Sequence, residues 1–242
     1  MQVFTNTPFS LELEPLLRQV SVKPESDDAR ELEELAHLAE EIAKPKAMYT
    51  ESFVEAKDND SVCIDGIVFK SRMLRSNLDA VERVFPFIAT CGREVDEAFS
   101  GKGDFLKQFW WDTIKAHLLG AASKYLSDRL HRSFRLSKTS TMSPGSGDAS
   151  VWPIEQQRAL FELLGDVEGS IGVKLTDSFL MVPNKTVSGI RFPTERDFRS
   201  CQVCHRENCS SRSANFDEVL WKDMHIDLDP DRDSDSDPDG IR

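Results

Sequence analysis

The stretch 103–132 constrains the fold of this chain most, because it predicts one long helix with apolar side chains on almost every side. Its large apolar residues are Phe105, Leu106, Phe109, Trp110, Ile114, Leu118 and Leu119. Core packing explains this aromatic-rich face better than a cofactor site does. The small residues Gly120, Ala121 and Ala122 predict that another element approaches the helix closely. We therefore expect this helix to be the largely buried spine of the domain.

The segments before this helix predict a second helix and antiparallel strands. Residues 27–43 carry apolar side chains at helical spacing behind a capping aspartate, which indicates an amphipathic helix. In the segment 61–70, Asp65-Gly66 separates two short alternating runs, and this dipeptide favours the positive φ angles of a tight hairpin turn. The apolar run 84–89 is typical of a buried strand.

The segments after the long helix add a loop, a helix and further strands. Residues 137–151 are mostly small and predict a loop, the main break in the chain. A helix then opens at Pro153 and ends at Gly165, the usual punctuation of a helix. Residues 171–192 follow as two or three strands with a turn at Pro183. The chain is thus predicted to be α+β, with an antiparallel sheet, flanking helices and one long central helix.

The charge of the chain is strongly negative and unevenly distributed. Its 242 residues carry a formal net charge of −12, which disfavours nucleic-acid binding because phosphate contacts need clustered Lys and Arg. Residues 227–242 are rich in aspartate and predict a disordered acidic tail. The first residues lack a secretory pattern, and no apolar run approaches the ~20 residues of a membrane helix. We therefore expect a cytoplasmic protein without a membrane or nucleic-acid partner.

Cys201, Cys204 and Cys209 are the strongest chemical signal in the sequence. A Cys-x-x-Cys pair can bind one metal ion from a tight turn, and Cys209 adds a third thiolate from the same segment. The fourth ligand stays open between His205, His225 and an outside group. Three thiolates suit zinc or an iron–sulfur cluster. In a reducing compartment the spacing favours a metal or redox site over disulfides, and free thiols without a metal are the alternative.

A further pattern begins with the loop 143–148, which reads Ser-Pro-Gly-Ser-Gly-Asp. A helix follows, and residues 172–178 then read Gly-Val-Lys-Leu-Thr-Asp-Ser. Met181-Val182-Pro183 and Val187-Ser188-Gly189 close the pattern. In spacing and order these motifs resemble the activation domain of cobalamin (vitamin B12)-dependent methionine synthase. With weaker similarity upstream, the resemblance covers roughly residues 45–195.

The resemblance implies the fold and the ligands of that family. It implies a methionine synthase activation domain-like α+β fold, in which Ser143, Pro144, Gly145, Ser146 and Gly147 present backbone groups to S-adenosylmethionine. In the family, the domain docks over cobalamin carried by a partner. It supports one-electron reduction of the oxidised cobalt and methylation from S-adenosylmethionine. The partner expected here is therefore a corrinoid-binding protein or methyltransferase.

The sequence departs from the family pattern where ligand binding is concerned. Thr141 takes the place of a family arginine, and Ser146 that of an aromatic residue. Two family glutamates fall on Gly120 and near Arg135. A charge-assisted hydrogen bond from such a side chain is worth roughly 1.5–3 kcal/mol. We therefore expect the fold to be retained and the binding of S-adenosylmethionine to be doubtful.

These features divide the chain into four predicted parts. Residues 1–44 form an N-terminal helical extension, 45–195 the activation-domain-like core, 196–226 a Cys-rich metal module and 227–242 the acidic tail. No set of general acid, base and nucleophile is visible, so catalysis by this chain alone is not expected. If the chain takes part in an activity, it does so as a reactivation component of a methionine synthase-type methyltransferase.

Three hypotheses about function follow from the sequence. The first is an accessory protein of corrinoid-dependent methyl transfer that supports reactivation of the cobalt cofactor. The second is a fold relative that no longer binds S-adenosylmethionine and only caps or escorts the corrinoid protein. The third is a metal-binding or electron-transfer protein on the same scaffold. Binding of S-adenosylmethionine separates the first two, and metal content decides on the third.

Overall fold

A computed structural model describes residues 1–99, 103–147, 151–195, 198–209 and 212–225 of the chain. The predicted acidic tail, 227–242, lies outside these residues. The strands are β1 (Gln2–Phe4), β2 (Lys46–Tyr49), β3 (Ser52–Lys57), β4 (Ser61–Ile64), β5 (Ile67–Lys70), β6 (Arg83–Thr90), β7 (Thr139–Met142), β8 (Lys174–Leu175), β9 (Met181–Val182) and β10 (Thr186–Pro193). The α-helices are α1 (Leu13–Gln19), α2 (Asp27–Ile42), α3 (Arg72–Asn77), α4 (Arg93–Ala98), α5 (Phe105–Phe134), α6 (Gln157–Leu164), α7 (Val167–Ile171) and α8 (Glu218–His225).

Strand β6 is the centre of one large antiparallel sheet. It pairs with β10 along one edge, and with β2 and β3 along the other. β7 extends the sheet beyond β10, β1 pairs with β2, and the β4–β5 hairpin continues from β3. β8 and β9 form a separate antiparallel pair. The predicted antiparallel sheet is confirmed.

Alternate residues of β6 face opposite sides of the sheet, and helices cover both sides. Phe85 and Phe87 pack in one apolar cluster with Leu126 of α5. Val84 and Ile88 pack in another cluster, to which α3, α6 and α7 contribute. All five side chains are at most 3% exposed. The sheet therefore lies between the long helix and a layer of shorter helices, as the predicted fold class requires.

Local signals in the sequence are confirmed at several elements. The hairpin at 61–70 turns through Asp65 and Gly66, whose φ angles are +44° and +81°. The amphipathic helix is confirmed as α2, but the predicted aspartate cap is wrong. Ser26 caps the helix by accepting a hydrogen bond from Ala29 N at 3.1 Å, and Asp27 and Asp28 lie in the first turn. Helix α6 ends at Gly165, where the prediction placed its end.

The long helix α5 is confirmed, but its first turns are not buried. Phe105, Leu106 and Phe109 are 84%, 49% and 53% exposed, whereas Trp110 and Ile114 are fully buried. The cluster formed with α1, α2 and α4 covers only the side of α5 that carries Trp110 and Ile114. The expectation of a largely buried helix is therefore wrong at its start.

The expected close approach at Gly120 is also wrong. Gly120 is exposed, and no atom lies within 4 Å of the position that a Cβ atom would take there. Ala122 is the small residue of this group that faces the sheet, where it packs in the cluster of Phe85 and Phe87. The space beside α5 at Gly120 is therefore open.

The predicted loop 137–151 contains strand β7, which the sequence pattern concealed. The strand consists of Thr139, Ser140, Thr141 and Met142, and small polar residues of this kind are typical of turns. Pairing with β10 overrides that local preference, and the β-branched threonines are compatible with an edge strand.

The N-terminal residues take part in both layers of the domain. β1 adds a strand to the large sheet, and α1 and α2 pack with α4 and the start of α5 in a shared apolar cluster. Within the described residues, no helix combines the length and the apolar character that a membrane crossing requires.

Candidate functional site

The residues predicted to bind S-adenosylmethionine form one turn at the end of the edge strand β7. The strand ends at Met142, and Ser143 to Gly147 follow directly. Pro144 is buried and anchors the turn, whereas Gly145, Ser146 and Gly147 are exposed. The structure therefore brings all five predicted residues together, with the exposed glycines at the surface of the sheet edge.

Short backbone contacts define the shape of this turn. Ser146 N donates to Ser143 O at 3.1 Å, and Gly145 N donates to the carbonyl of buried Trp152 at 2.8 Å. Gly145 and Gly147 have φ angles of +74° and +87°, in the region that favours glycine. A Cβ atom on Gly145 would come within 2.9 Å of Ile154. Both glycines are therefore required by the turn itself, whatever the turn binds.

The start of the turn is pressed against β10 at Gly189. A Cβ atom on Gly189 would lie 2.4 Å from Met142 O and 2.7 Å from Ser143 Oγ, closer than real contacts allow. The glycine of the Val187-Ser188-Gly189 motif is therefore needed for β10 to approach β7 and the turn. This close contact explains why the third residue of the motif is a glycine.

The serine of the same motif holds helix α6 against β10. Gln157 Nε2 donates to Ser188 Oγ at 2.7 Å, and Ser188 Oγ donates to Gln157 Oε1 at 2.9 Å. Both residues are at most 3% exposed, so the pair satisfies polar groups that water does not reach. Sequence reasoning identified Ser188 from the motif but missed Gln157, whose role depends on its place in the fold.

The structure places an arginine opposite one of the departures from the family pattern. Arg191 of β10 is the direct cross-strand partner of Thr141, so both side chains lie on the sheet face covered by α5. Burial lowers the pKa of the Arg191 guanidinium from its ordinary value. The other residues that depart from the family pattern lie elsewhere on the surface or at a helix end. Ser146 is in the exposed turn, the space beside Gly120 is unoccupied, and Arg135 is the C-cap residue of α5 with a left-handed backbone conformation. Sequence reasoning missed Arg191, since only the strand register connects it with Thr141.

The Cys-rich segment packs directly against the turn. Ser140 Oγ donates to Phe198 O at 3.0 Å, and buried Val203 belongs to the same apolar cluster as Trp152. The Cβ position of Gly147 is 3.3 Å from Ser200 O and 3.9 Å from Cys204 Cβ. The segment that was predicted as a metal module therefore covers one side of the candidate site.

Hydrogen bonds organise the loop that carries the three cysteines. The guanidinium of Arg212 donates to the carbonyl oxygens of Cys201 and Cys204 at 3.2 Å and 3.0 Å. Ser213 Oγ and Ser213 N both donate to Cys201 Sγ at 3.4 Å, and these bonds lower the pKa of the Cys201 thiol. Cys201, Cys204 and Cys209 are half-buried free cysteines.

One candidate for a fourth ligand, His205, is in contact with aromatic rings. His205 packs between the rings of Phe216 and Trp221, with centroid distances of 4.5 Å and 4.3 Å. The side chain of His225 lies outside the described part of the structure. Within that part, no three His, Cys, Asp or Glu side chains are close enough together to hold a metal ion. The metal prediction for Cys201, Cys204 and Cys209 stays a prediction.

The fold is that of a class of protein, the methionine synthase activation domains. The crystal structure of the MetH reactivation domain bound to AdoHcy matches with a TM-score of 0.53 and 18% sequence identity, over 76% of this chain and 71% of that chain. The model of the family "vitamin B12 dependent methionine synthase, activation domain" matches residues 86–211. The chain therefore belongs to this family, and the resemblance is confirmed. None of the curated proteins matches the chain.

The contact at Gly189 predicts opposite effects for two glycine substitutions. Gly189→Ala forces β10 away from Met142 O, so we expect a loss of roughly 1–3 kcal/mol in the free energy of unfolding. Gly120→Ala has open space within a helix, so we expect a gain of about 0.5–1 kcal/mol. Urea denaturation followed by circular dichroism measures both values. Equal effects of the two substitutions would contradict the close contact at Gly189.

The environments of the cysteines predict very different reactivity. Burial raises the pKa of the Cys91 thiol to about 12, whereas hydrogen bonds from Ser213 lower that of Cys201. Because the thiolate is the reactive form, iodoacetamide at pH 8 should alkylate Cys201 and leave Cys91 intact in the folded, chelator-treated protein. Peptide mass spectrometry measures both sites, and unfolding in urea should make Cys91 reactive. Rapid modification of Cys91 in the folded protein would show that the strand end is open.

Proposed function

We propose that this chain supports the reductive reactivation or methylation of the cobalt cofactor of a corrinoid protein. The observation that carries this proposal is the exposed turn Ser143 to Gly147, braced by Gly189 and Trp152 in a chain of the activation-domain family. A turn held in one shape can position a small ligand against a second molecule, and positioning alone contributes a large share of catalysis. The role we propose for this chain is therefore positioning.

The partner that we propose is a corrinoid-binding protein or methyltransferase, which brings the cobalamin. When bound, the corrinoid supplies the redox and methyl-transfer chemistry. The residues of this chain that face such a partner are those of the turn, because Gly145, Ser146 and Gly147 are its exposed members. The half-buried Ser143 and Thr141 lie behind them at the end of β7.

The methyl donor that we propose for the turn is S-adenosylmethionine. The structural relative is a reactivation domain bound to AdoHcy, the form that S-adenosylmethionine takes after losing its methyl group. The absence of the family arginine at Thr141 and of the family glutamate at Gly120 weakens the expected affinity. We therefore expect a dissociation constant in the range of roughly 10–1,000 µM.

Two glycine variants test this proposal by calorimetry with S-adenosylhomocysteine. Gly145→Ala strains a positive φ angle and clashes with Ile154 inside the turn, so we expect affinity to fall by about tenfold or more. Gly66→Ala strains a comparable φ angle in the remote β4–β5 hairpin and should leave affinity unchanged. No heat of binding with the wild-type chain would contradict S-adenosylmethionine as donor. Failure to bind any cobalamin-loaded protein in gel filtration would contradict the corrinoid function.

We also propose, as a second candidate function, that Cys201, Cys204 and Cys209 bind zinc or an iron–sulfur cluster. Two observations support this proposal. The guanidinium of Arg212 donates hydrogen bonds to the carbonyl oxygens of Cys201 and Cys204, which keeps this short loop compact. Hydrogen bonds from Ser213 lower the pKa of the Cys201 thiol and so favour its thiolate. Metal binding commonly reorganises a ligand loop, because the site and the loop fold together. A cluster at this place would lie beside the turn and could provide an electron route to it.

Metal analysis of anaerobically purified protein tests the second proposal. We expect about one zinc, or the iron of one cluster, per chain, and its loss in the variant Cys204→Ser. Cys63→Ser is the matched control, since Cys63 lies in β4, outside the Cys-rich segment. Metal-free wild-type protein would contradict the proposal, and a colourless zinc protein would exclude electron transfer by the cluster.

A further inference from the structure

Arg191 is a cation that the fold partly desolvates without giving it an acidic partner among the described residues. Its Nη1 donates to Ser127 Oγ of α5, and its Cζ lies 5.6 Å from the centroid of the Phe87 ring. Its Nε is buried and has no hydrogen-bond partner among the described residues. No described Asp or Glu forms an ion pair with Arg191. A guanidinium held in this way is stabilised when an anion reaches it.

The polar contact that Arg191 makes in the described residues is with a neutral group, Ser127. His131 Nδ1 bonds to Ser127 O at 2.8 Å, and its Nε2 lies 3.5 Å from Thr139 Oγ1, so the imidazole is engaged with neutral groups. Thr141, directly opposite Arg191, is half-buried, as is Arg191 itself. Nη1 of the guanidinium is therefore held by neutral Ser127, and the residue as a whole is only half-buried.

The position of Arg191 connects it with the candidate site. Side chains alternate along a strand, so Gly189 and Arg191 of β10 lie on one face, and Thr141 opposite Arg191 lies on that face too. Ser143 Oγ is 2.7 Å from the Cβ position of Gly189, which places the first residue of the turn on this face. Helix α5 lies over this face, and its Ser127 contacts Arg191. Gly120 lies two turns earlier on the same side of α5, and the space beside it is unoccupied by other described atoms.

We infer that Arg191 binds a carboxylate group of the ligand that occupies the turn, and so determines which ligands the site accepts. The guanidinium offers a planar fork of donors that matches a carboxylate, and no described Asp or Glu occupies that fork. This inference rests on the proposed function, because it assigns one group of an S-adenosyl amino acid to one residue. In this assignment the positive charge comes from Arg191 of β10, the cross-strand partner of Thr141, because Thr141 itself is uncharged.

Two ligands that differ in the amino-acid part test the assignment. S-adenosylhomocysteine carries the carboxylate, and methylthioadenosine keeps the nucleoside and the thioether without it. We expect wild-type protein to bind S-adenosylhomocysteine more tightly by about 10–100-fold in calorimetry. Arg191→Gln should abolish this preference and leave the affinity for methylthioadenosine unchanged. Arg191→Lys, which keeps the charge without the fork, should restore part of the preference.

Arg83 provides a matched control for the loss of a ring-stacked arginine. Its Cζ lies 5.4 Å from the centroid of the Phe134 ring, but its Nη1 is paired with Glu51 at 3.1 Å. Arg83→Gln should therefore leave both affinities unchanged.

Arg191→Met separates a structural from a ligand-binding role. If Arg191 is held for a ligand, the melting temperature of the free protein should stay the same or rise, and a fall by several degrees would overturn the inference.

The outcomes distinguish this inference from the proposed function. If wild-type protein prefers S-adenosylhomocysteine and Arg191→Gln keeps that preference, the role of Arg191 is overturned and the donor assignment stands. Equal affinity of wild-type protein for both ligands also overturns the role of Arg191 alone. If wild-type protein binds neither ligand, both the donor assignment and the role of Arg191 are wrong.

Discussion

The close approach of β10 to β7 at Gly189 is the contact on which the candidate site depends. Only a residue without a side chain allows Met142 O and Ser143 Oγ to lie where they do. The same strand carries Ser188, which holds helix α6, and Arg191, which faces Thr141. β10 also pairs with the buried strand β6, so the turn after β7 is connected through β10 to the core of the sheet and is held in place by it.

The Cys-rich segment belongs physically to this site. Phe198 and Val203 are buried in the cluster that contains Trp152, and Ser200 lies against Gly147 of the turn. The family match covers residues 86–211, so it begins and ends later in the chain than the range 45–195 over which the sequence resemblance was placed. The Cys-rich segment and the turn are therefore neighbours in space.

Most of the secondary structure could be predicted because its signals are local. The hairpin at Asp65-Gly66, the capped helix α2 and the end of α6 at Gly165 each follow from the conformational preferences of a few adjacent residues. Strand β7 could not be predicted in this way, since Thr139 to Met142 become a strand only through pairing with β10. The exposed start of α5 was missed for a related reason, because periodicity shows which residues are apolar but not which side a neighbouring element covers.

The sequence alone determined the turn from Ser143 to Gly147 and the motif that ends in Gly189, and with them the family to which the chain belongs. Both are runs of adjacent residues in which proline fixes the backbone or glycine permits conformations and close contacts that other residues do not. Only the tertiary structure decided that Arg191 stands opposite Thr141 and that the Cys-rich segment covers the turn. Strand register and the docking of a segment are set by contacts between residues far apart in the chain, and no local pattern encodes them.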